Sequence, residues 1–164
     1  PDDLSWTVPR VLRSDEIQSF IDDVAESARR LERSGFSGVE ISAGHGHLFH
    51  QFLSPWSNHR EDAYGGDFEG RLKFLSDTIA AIRGQCGAEF SIGLKLPGTD
   101  GLSGSIDPQL AGRIASALTL RHDVDYVAFC KGTHGRTLDW HIPDMHWPRS
   151  TCTSTTSAPE WCGS

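Results

Sequence analysis

The chain has no apolar run approaching the roughly 18 residues of a membrane span. It also lacks the charged start and apolar stretch of a secretory leader. There is no basic excess. Fifteen Lys and Arg stand against 22 Asp and Glu, a net charge of -7, which argues against a nucleic-acid partner held by its phosphates. The four cysteines, Cys86, Cys130, Cys152 and Cys162, show no C-x-x-C spacing. Neither a zinc knuckle nor a disulfide framework is indicated, and a reducing, cytoplasmic setting is the default expectation. Methionine is nearly missing, Met145 being the single one, and the chain opens on Pro1-Asp2-Asp3. A piece of a longer polypeptide is therefore expected. What is present is 164 residues with 17 glycines and 8 prolines, room for one turn-rich domain that buries roughly two-thirds of its unfolded surface.

Residues 1–13 carry two prolines and no periodicity, and read as a loop leading in. From Ser14 the pattern changes. Ile17, Phe20, Ile21, Val24, Ala25, Ala28 and Leu31 recur at three- and four-residue steps, the stripe of an amphipathic helix. Ser14 is the expected N-cap, Asp15 and Glu16 suit the positive end of the dipole, and Gly35 supplies the stop. A helix is thus expected over 15–34. Further helices are expected over 68–84, with Leu72, Leu75, Ile79 and Ile82 on one face, and over 108–121, opened by Asp107-Pro108. Short β-branched segments at 38–42, 90–96 and 125–130 read as strands, the second ended by Pro97-Gly98. The alternation implies right-handed crossovers and a parallel sheet, with strands too apolar to leave one face open. The first and second strands start about 52 residues apart, and the excess lies in the loop at 43–66, long enough to suggest function. Residues 151–164, rich in Ser and Thr, read as a disordered or artefactual tail to a domain over 1–150.

In a parallel α/β sheet, functional groups gather beyond the carboxyl ends of the strands. That rule brings Ser42-Ala43-Gly44-His45-Gly46-His47, Lys95 and Cys130-Lys131-Gly132-Thr133-His134 to one rim. Each has a plainer alternative. His45 and His47 can be loop histidines bonded to backbone carbonyls. Lys95 can be a rim lysine paired with Glu40 or Asp100. Cys130 reads as a packed thiol, His134 and His141 stay undecided, and Gly65-Gly66 shapes a turn. Glu69 and Arg71 are expected to pair at a helix start. A metal site from His45, His47, His50 and His59 finds no acidic or cysteine partner at a ligand spacing, so no metal is expected.

Gly35-Phe36-x-Gly38-Val39-Glu40-Ile41, Gln51-Phe52-Leu53-Ser54-Pro55, Asn58-x-Arg60-x-Asp62-x-Tyr64-Gly65-Gly66 and Glu69-x-Arg71 resemble the Old Yellow Enzyme family of FMN-dependent oxidoreductases. The resemblance runs from about Pro9 to about Arg149. Ala43-Gly44-His45-Gly46-His47 with Gly93-Leu94-Lys95-Leu96-Pro97-Gly98 is most similar to the amine-demethylating branch, that of dimethylglycine demethylase and trimethylamine dehydrogenase.

The resemblance implies α/β architecture, part of a (β/α)8 barrel holding FMN, with the three strands as its fourth, fifth and sixth. The remaining barrel segments would have to come from elsewhere. It places Ser42 and His45 at the substrate-binding pair, His47 at the position of the proton-donating tyrosine, and Lys95 at the arginine facing the flavin N1–O2 edge. His45 and His47 are thus the candidate catalytic residues, Ser42 and His45 the substrate-binding ones, and Lys95 the cofactor-binding one. Serine is too short to replace an imidazole that binds an enone carbonyl, which points away from alkene reduction. The implied activity is oxidative N-demethylation of a small methylated amine. NAD(P)H-dependent alkene reduction is the first alternative, and an inactive barrel fragment without flavin the second. NAD(P)H or an external acceptor would exchange electrons with FMN, through an electron-transfer subunit if one exists. An iron–sulfur cluster is expected only outside this chain.

Overall fold

The computed structural model describes residues 10–122 and 124–131. The expectations for the leading residues, His134, His141 and the 151–164 tail fall outside that range. The element order is α1 (Ser14–Arg33), β1 (Gly38–Ser42), α2 (Leu48–Leu53), α3 (Phe68–Gln85), β2 (Ser91–Thr99), α4 (Pro108–Arg121) and β3 (Tyr126–Lys131). The strands form one parallel sheet in the order β1-β2-β3.

The helices follow their local chemistry. Asp67 accepts from the Gly70 N–H and opens α3, and Asp107 does the same for Leu110 at the start of α4. Helix α1 begins one residue earlier than expected. Arg13, not Ser14, is the flanking residue, because the Glu16 carboxylate reaches back to the Arg13 backbone N–H at 2.9 Å. Gly35, at φ 90°, ends it, with the Phe36 N–H on the Leu31 carbonyl and the Gly35 N–H on the Glu32 carbonyl.

Ile17, Ile21, Ala25 and Ala28 of α1 are buried, as are Leu72, Leu75, Ile79 and Ile82 of α3 and Ile114 and Leu118 of α4. They meet the outward-facing strand residues Ile41, Ile92, Leu94 and Leu96 in one core. Phe74 of α3 is its hub. Its ring lies 4.7 Å from those of Phe49 and Phe52, 5.5 Å from Phe20 and 6.4 Å from Tyr64.

Four expectations need correction. The sheet is one-sided among the described residues: Glu40 and Ser42 are exposed, and Tyr126 and Phe129 are 49% and 48% exposed. The alternation that buries Ile41 and Leu94 must turn Glu40, Ser42 and Lys95 the other way. Strand β2 does not stop at Pro97-Gly98 but runs to Thr99. A shift of register between Pro97 and Thr99 absorbs the missing proline N–H. Helix α2 was not foreseen within 43–66, since six residues give too short a window for periodicity. Finally, Glu69 pairs with Arg121 of α4 at 2.7 Å, clamping two helices, whereas Arg71 donates to the Gly66 carbonyl. Both side chains look beyond the helix turn they share.

Because four rings converge on Phe74, Phe74→Ala is expected to cost about 3–5 kcal/mol. Phe74→Leu should cost clearly less, having lost shape but little volume. Urea unfolding of the two variants measures the difference, and equal midpoints would show that Phe74 is not the hub.

Candidate functional site

Strand register builds the site. Ser42, Lys95 and Ala128 share one rung of the sheet, so the lysine stands on the open face between two small side chains. Two rungs earlier, next on the same face, come Glu40, Gly93 and Tyr126. The Tyr126 ring lies across Gly93, where a Cβ would overlap it. Its hydroxyl donates to Glu40 Oε2 at 3.1 Å, and Lys95 Nζ meets Glu40 Oε1 at 3.2 Å. Burial and then the bond to Glu40 push the Tyr126 phenol up. Of the two pairings expected for Lys95, Glu40 is realised. The lysine does not point into the helix layer.

Above this face the chain leaves β1 through a tight turn. The His47 N–H donates to the Gly44 carbonyl at 3.1 Å, while His45 and Gly46 take φ values of 57° and 76°. For His45 that conformation costs of order 1–3 kcal/mol unless its surroundings enforce it, a condition that clusters at functional sites. The His45 and His47 rings stand edge to face with centroids 6.4 Å apart. His47 is exposed and His45 partly so. Ser42 lies at the foot of this turn on the same open face. Ser42 ends β1 level with Lys95 of β2 and the two histidines follow in the turn, whereas Gly132, Thr133 and His134 lie outside the described residues. His59 is exposed, while His50 turns inward at 2% exposure. Among the described residues no group of three or more His, Cys, Asp or Glu is placed to hold a metal ion.

Two site features were invisible in the sequence. One is the approach of the β1 turn to β3, so close that a Cβ on Gly44 would overlap Cys130 Sγ. That thiol points to the Leu96 carbonyl at 3.4 Å and faces the His45 backbone N–H. Burial pushes it above its ordinary range, in keeping with the packed thiol that the sequence suggests. The other is a buried polar cluster. His50 Nδ1 accepts the Gly46 N–H at 2.9 Å and His50 Nε2 lies 3.0 Å from Asp100 Oδ1. Asp100 Oδ2 accepts from the Ser105 hydroxyl and from the Ile106 N–H, and Ser105 meets Ser54 at 2.9 Å. Burial alone would raise the Asp100 carboxyl. The bonds from His50, Ser105 and the Ile106 N–H outweigh it and hold the group below its ordinary 3.8.

The Asn58-Arg60-Asp62-Tyr64 motif folds the long loop. The Asn58 amide donates to the Phe52 and Tyr64 carbonyls at 2.7 and 2.8 Å, and Arg60 reaches Asp62 and the Leu12 carbonyl. Arg60 in turn holds the Asp62 carboxyl below its usual range.

Residues 3–160 match the NADH:flavin oxidoreductase / NADH oxidase family. The chain is 35% identical over 145 residues to an N,N-dimethylglycine/sarcosine dehydrogenase of Chromohalobacter salexigens, covering 85% of this chain and 20% of that one. It is 39% identical to an NADH-dependent flavin oxidoreductase of Hypocrea jecorina, covering 79% and 32%. Among solved structures, an old yellow enzyme homologue from Zymomonas mobilis superposes with a TM-score of 0.68 at 29% identity, over 81% of this chain and 40% of that one. A 2-naphthoyl-CoA reductase superposes with a TM-score of 0.73 at 30% identity, over 76% and 19%. The chain thus spans from a fifth to a third of the length of these two sequence relatives. Its sheet is part of their (β/α)8 barrel.

The depressed Asp100 carboxyl makes stability depend on acid. Its contribution is full above the ordinary aspartate value of 3.8 and disappears as pH falls through the lower, folded-state value. Asp100→Asn should therefore cost about 3 kcal/mol at neutral pH. The gap from the parent should narrow in acid. Thermal midpoints of both proteins between about pH 3 and pH 7 measure it, and a gap independent of pH would contradict the assignment.

Proposed function

Because the chain belongs to the NADH:flavin oxidoreductase / NADH oxidase family, whose members are FMN-dependent oxidoreductases, we propose that its rim serves oxidative N-demethylation of a small methylated amine. The observation that carries the proposal is the composition of that rim. By the family resemblance Ser42 and His47 stand where ene-reductases have the enone-binding imidazole and the proton-donating tyrosine, and a cation, Lys95, stands on the open face level with Ser42. The relative named as a dimethylglycine/sarcosine dehydrogenase supports the same direction.

The residues present suit FMN. Lys95 has three N–H donors and commits one to Glu40, and its rung neighbours Ser42 and Ala128 are small enough to leave space for a flat ring. When bound, FMN supplies a two-electron acceptor for the substrate's C–H bond. The N-methyl group gives up two electrons and a proton's worth of hydrogen, and water splits the resulting iminium into a secondary amine and formaldehyde. A neutral imidazole at His45 or His47 would accept the proton of the bound ammonium form, leaving the amine lone pair free to stabilise the iminium. Lys95 places positive charge where the cofactor becomes more negative on reduction, and Glu40 fixes that charge in position. NAD(P)H or an external acceptor completes the electron cycle.

Reduction of an activated alkene is the second reading. It is favoured by His47, which is exposed and is an imidazole, a side-chain type able to act as a general acid. Steady-state turnover of methylated amines against enones by the complete protein decides between them. Turnover of enones alone would overturn the proposal.

Two outcomes are expected. Lys95→Met in the complete protein should lower the flavin midpoint potential by about 30 mV, the equivalent of one charge-assisted contact partly shared with Glu40. Reduction by the amine should slow more than amine binding weakens, and Lys95→Arg should keep most of the effect. A redox titration with stopped-flow reduction measures both, and an unchanged potential makes Lys95 a structural lysine. The 164-residue chain by itself should lose FMN on gel filtration, because phosphate sites in such barrels form after the seventh and eighth strands. A stoichiometric yellow complex would contradict this.

A further inference from the structure

The turn that carries His45 and His47 is held from below by groups that no step of the reaction uses. Helix α2 starts directly after the turn, and one of its faces returns under it. His50 Nδ1 takes the Gly46 N–H at 2.9 Å and Gln51 Nε2 donates to the Gly46 carbonyl at 2.9 Å. Both backbone polar groups of the residue between the two rim histidines are thus tied to one helix. The His50 ring is only 2% exposed. Since its Nδ1 accepts a backbone N–H, the ring proton must sit on Nε2, which hydrogen-bonds Asp100 Oδ2 at 3.2 Å with Oδ1 also 3.0 Å away. Asp100, 1% exposed and just beyond β2, is oriented in turn by Ser105 and the Ile106 N–H.

We propose that His50 and Asp100 are positioning residues: Asp100 fixes the Nε2–H tautomer of His50, and His50 Nδ1 holds Gly46 so that the strained His45–Gly46 turn keeps both rim histidines above the open face. The arrangement couples two loops. The turn after β1 is held by a carboxylate after β2, so the rim is set by contacts across strands and not by the loop alone. A buried imidazole used merely to fill space would not have its bare nitrogen aimed at the amide directly after His45, the one non-glycine among the described residues in the left-handed conformation. The functional side of this inference rests on His45 and His47 being the substrate-facing pair; the latch itself does not.

Two substitutions divide the latch. His50→Asn leaves an amide oxygen near the place of Nδ1 but falls short of Asp100, and His50→Gln extends toward Asp100 but loses the acceptor for Gly46. Imidazole 15N shifts of the unmodified protein should report the Nε2–H tautomer for His50. Hydrogen exchange at the Gly46 amide should quicken roughly tenfold in His50→Gln, the loss of about one hydrogen bond, and change little in His50→Asn. Both variants should lose thermal stability, so stability alone does not decide. In the complete protein, amine KM should rise in His50→Gln and largely recover in His50→Asn. An Nδ1–H tautomer, or equal Gly46 exchange in both variants, overturns the latch. Absence of amine turnover with the tautomer and exchange pattern intact would instead overturn the proposed reaction and leave the latch standing.

Discussion

Everything at the site depends on the register between β1 and β2. Ser42 pairs with Lys95 and Glu40 with Gly93, and because side chains alternate along a strand, that pairing sends Ile41, Leu94 and Leu96 into the core and the polar set to the open face. A slip of β2 by one residue would bury Lys95 among α1, α3 and α4 and turn Ile92, Leu94 and Leu96 to the open face. The hydrophobic core therefore enforces the placement of the charges. The Glu40 bridge between Lys95 and Tyr126 then links all three strands on the polar side.

Periodicity made most of the fold legible. The α1 stripe and the leucine and isoleucine spacing in α3 and α4 name the buried faces almost residue for residue, since long amphipathic helices average out local exceptions. Asp67 and Asp107 are equally readable, because an N-cap is a local bond. Failures came where the deciding partner lies far along the chain. Glu69 meets Arg121 and not Arg71, and the open face belongs to the sheet of three strands formed by the described residues, which no single strand's composition discloses. Six residues of α2 were too few to show a period.

The site was legible as a set of positions but not as a mechanism of support. Element order alone gathers Ser42, His45, His47 and Lys95, and the resemblance to a flavin family assigns them roles. Neither discloses that His50, one of four histidines weighed as a metal set, lies beneath the turn, or that Asp100 faces it and not Lys95. Their bond spans fifty residues of sequence, with nothing in the spacing to announce it. The Asn58–Tyr64 motif, which carries much of the family resemblance, is spent on closing the long loop. What marks the family most clearly is therefore architecture.

The contact between Gly44 and Cys130 has a further meaning for how such sequences can diverge. The two residues occupy what is in effect one shared volume: a Cβ at the first position would fall on the sulfur of the second. Neither position is free to drift alone. An alanine at 44 needs a smaller residue at 130, and any side chain larger than cysteine at 130 would press on a turn that already holds His45 in a left-handed conformation. In related chains the two sites should change in step, although 86 positions separate them, and a recombination joint placed between β1 and β3 would unite halves that have not been fitted to each other.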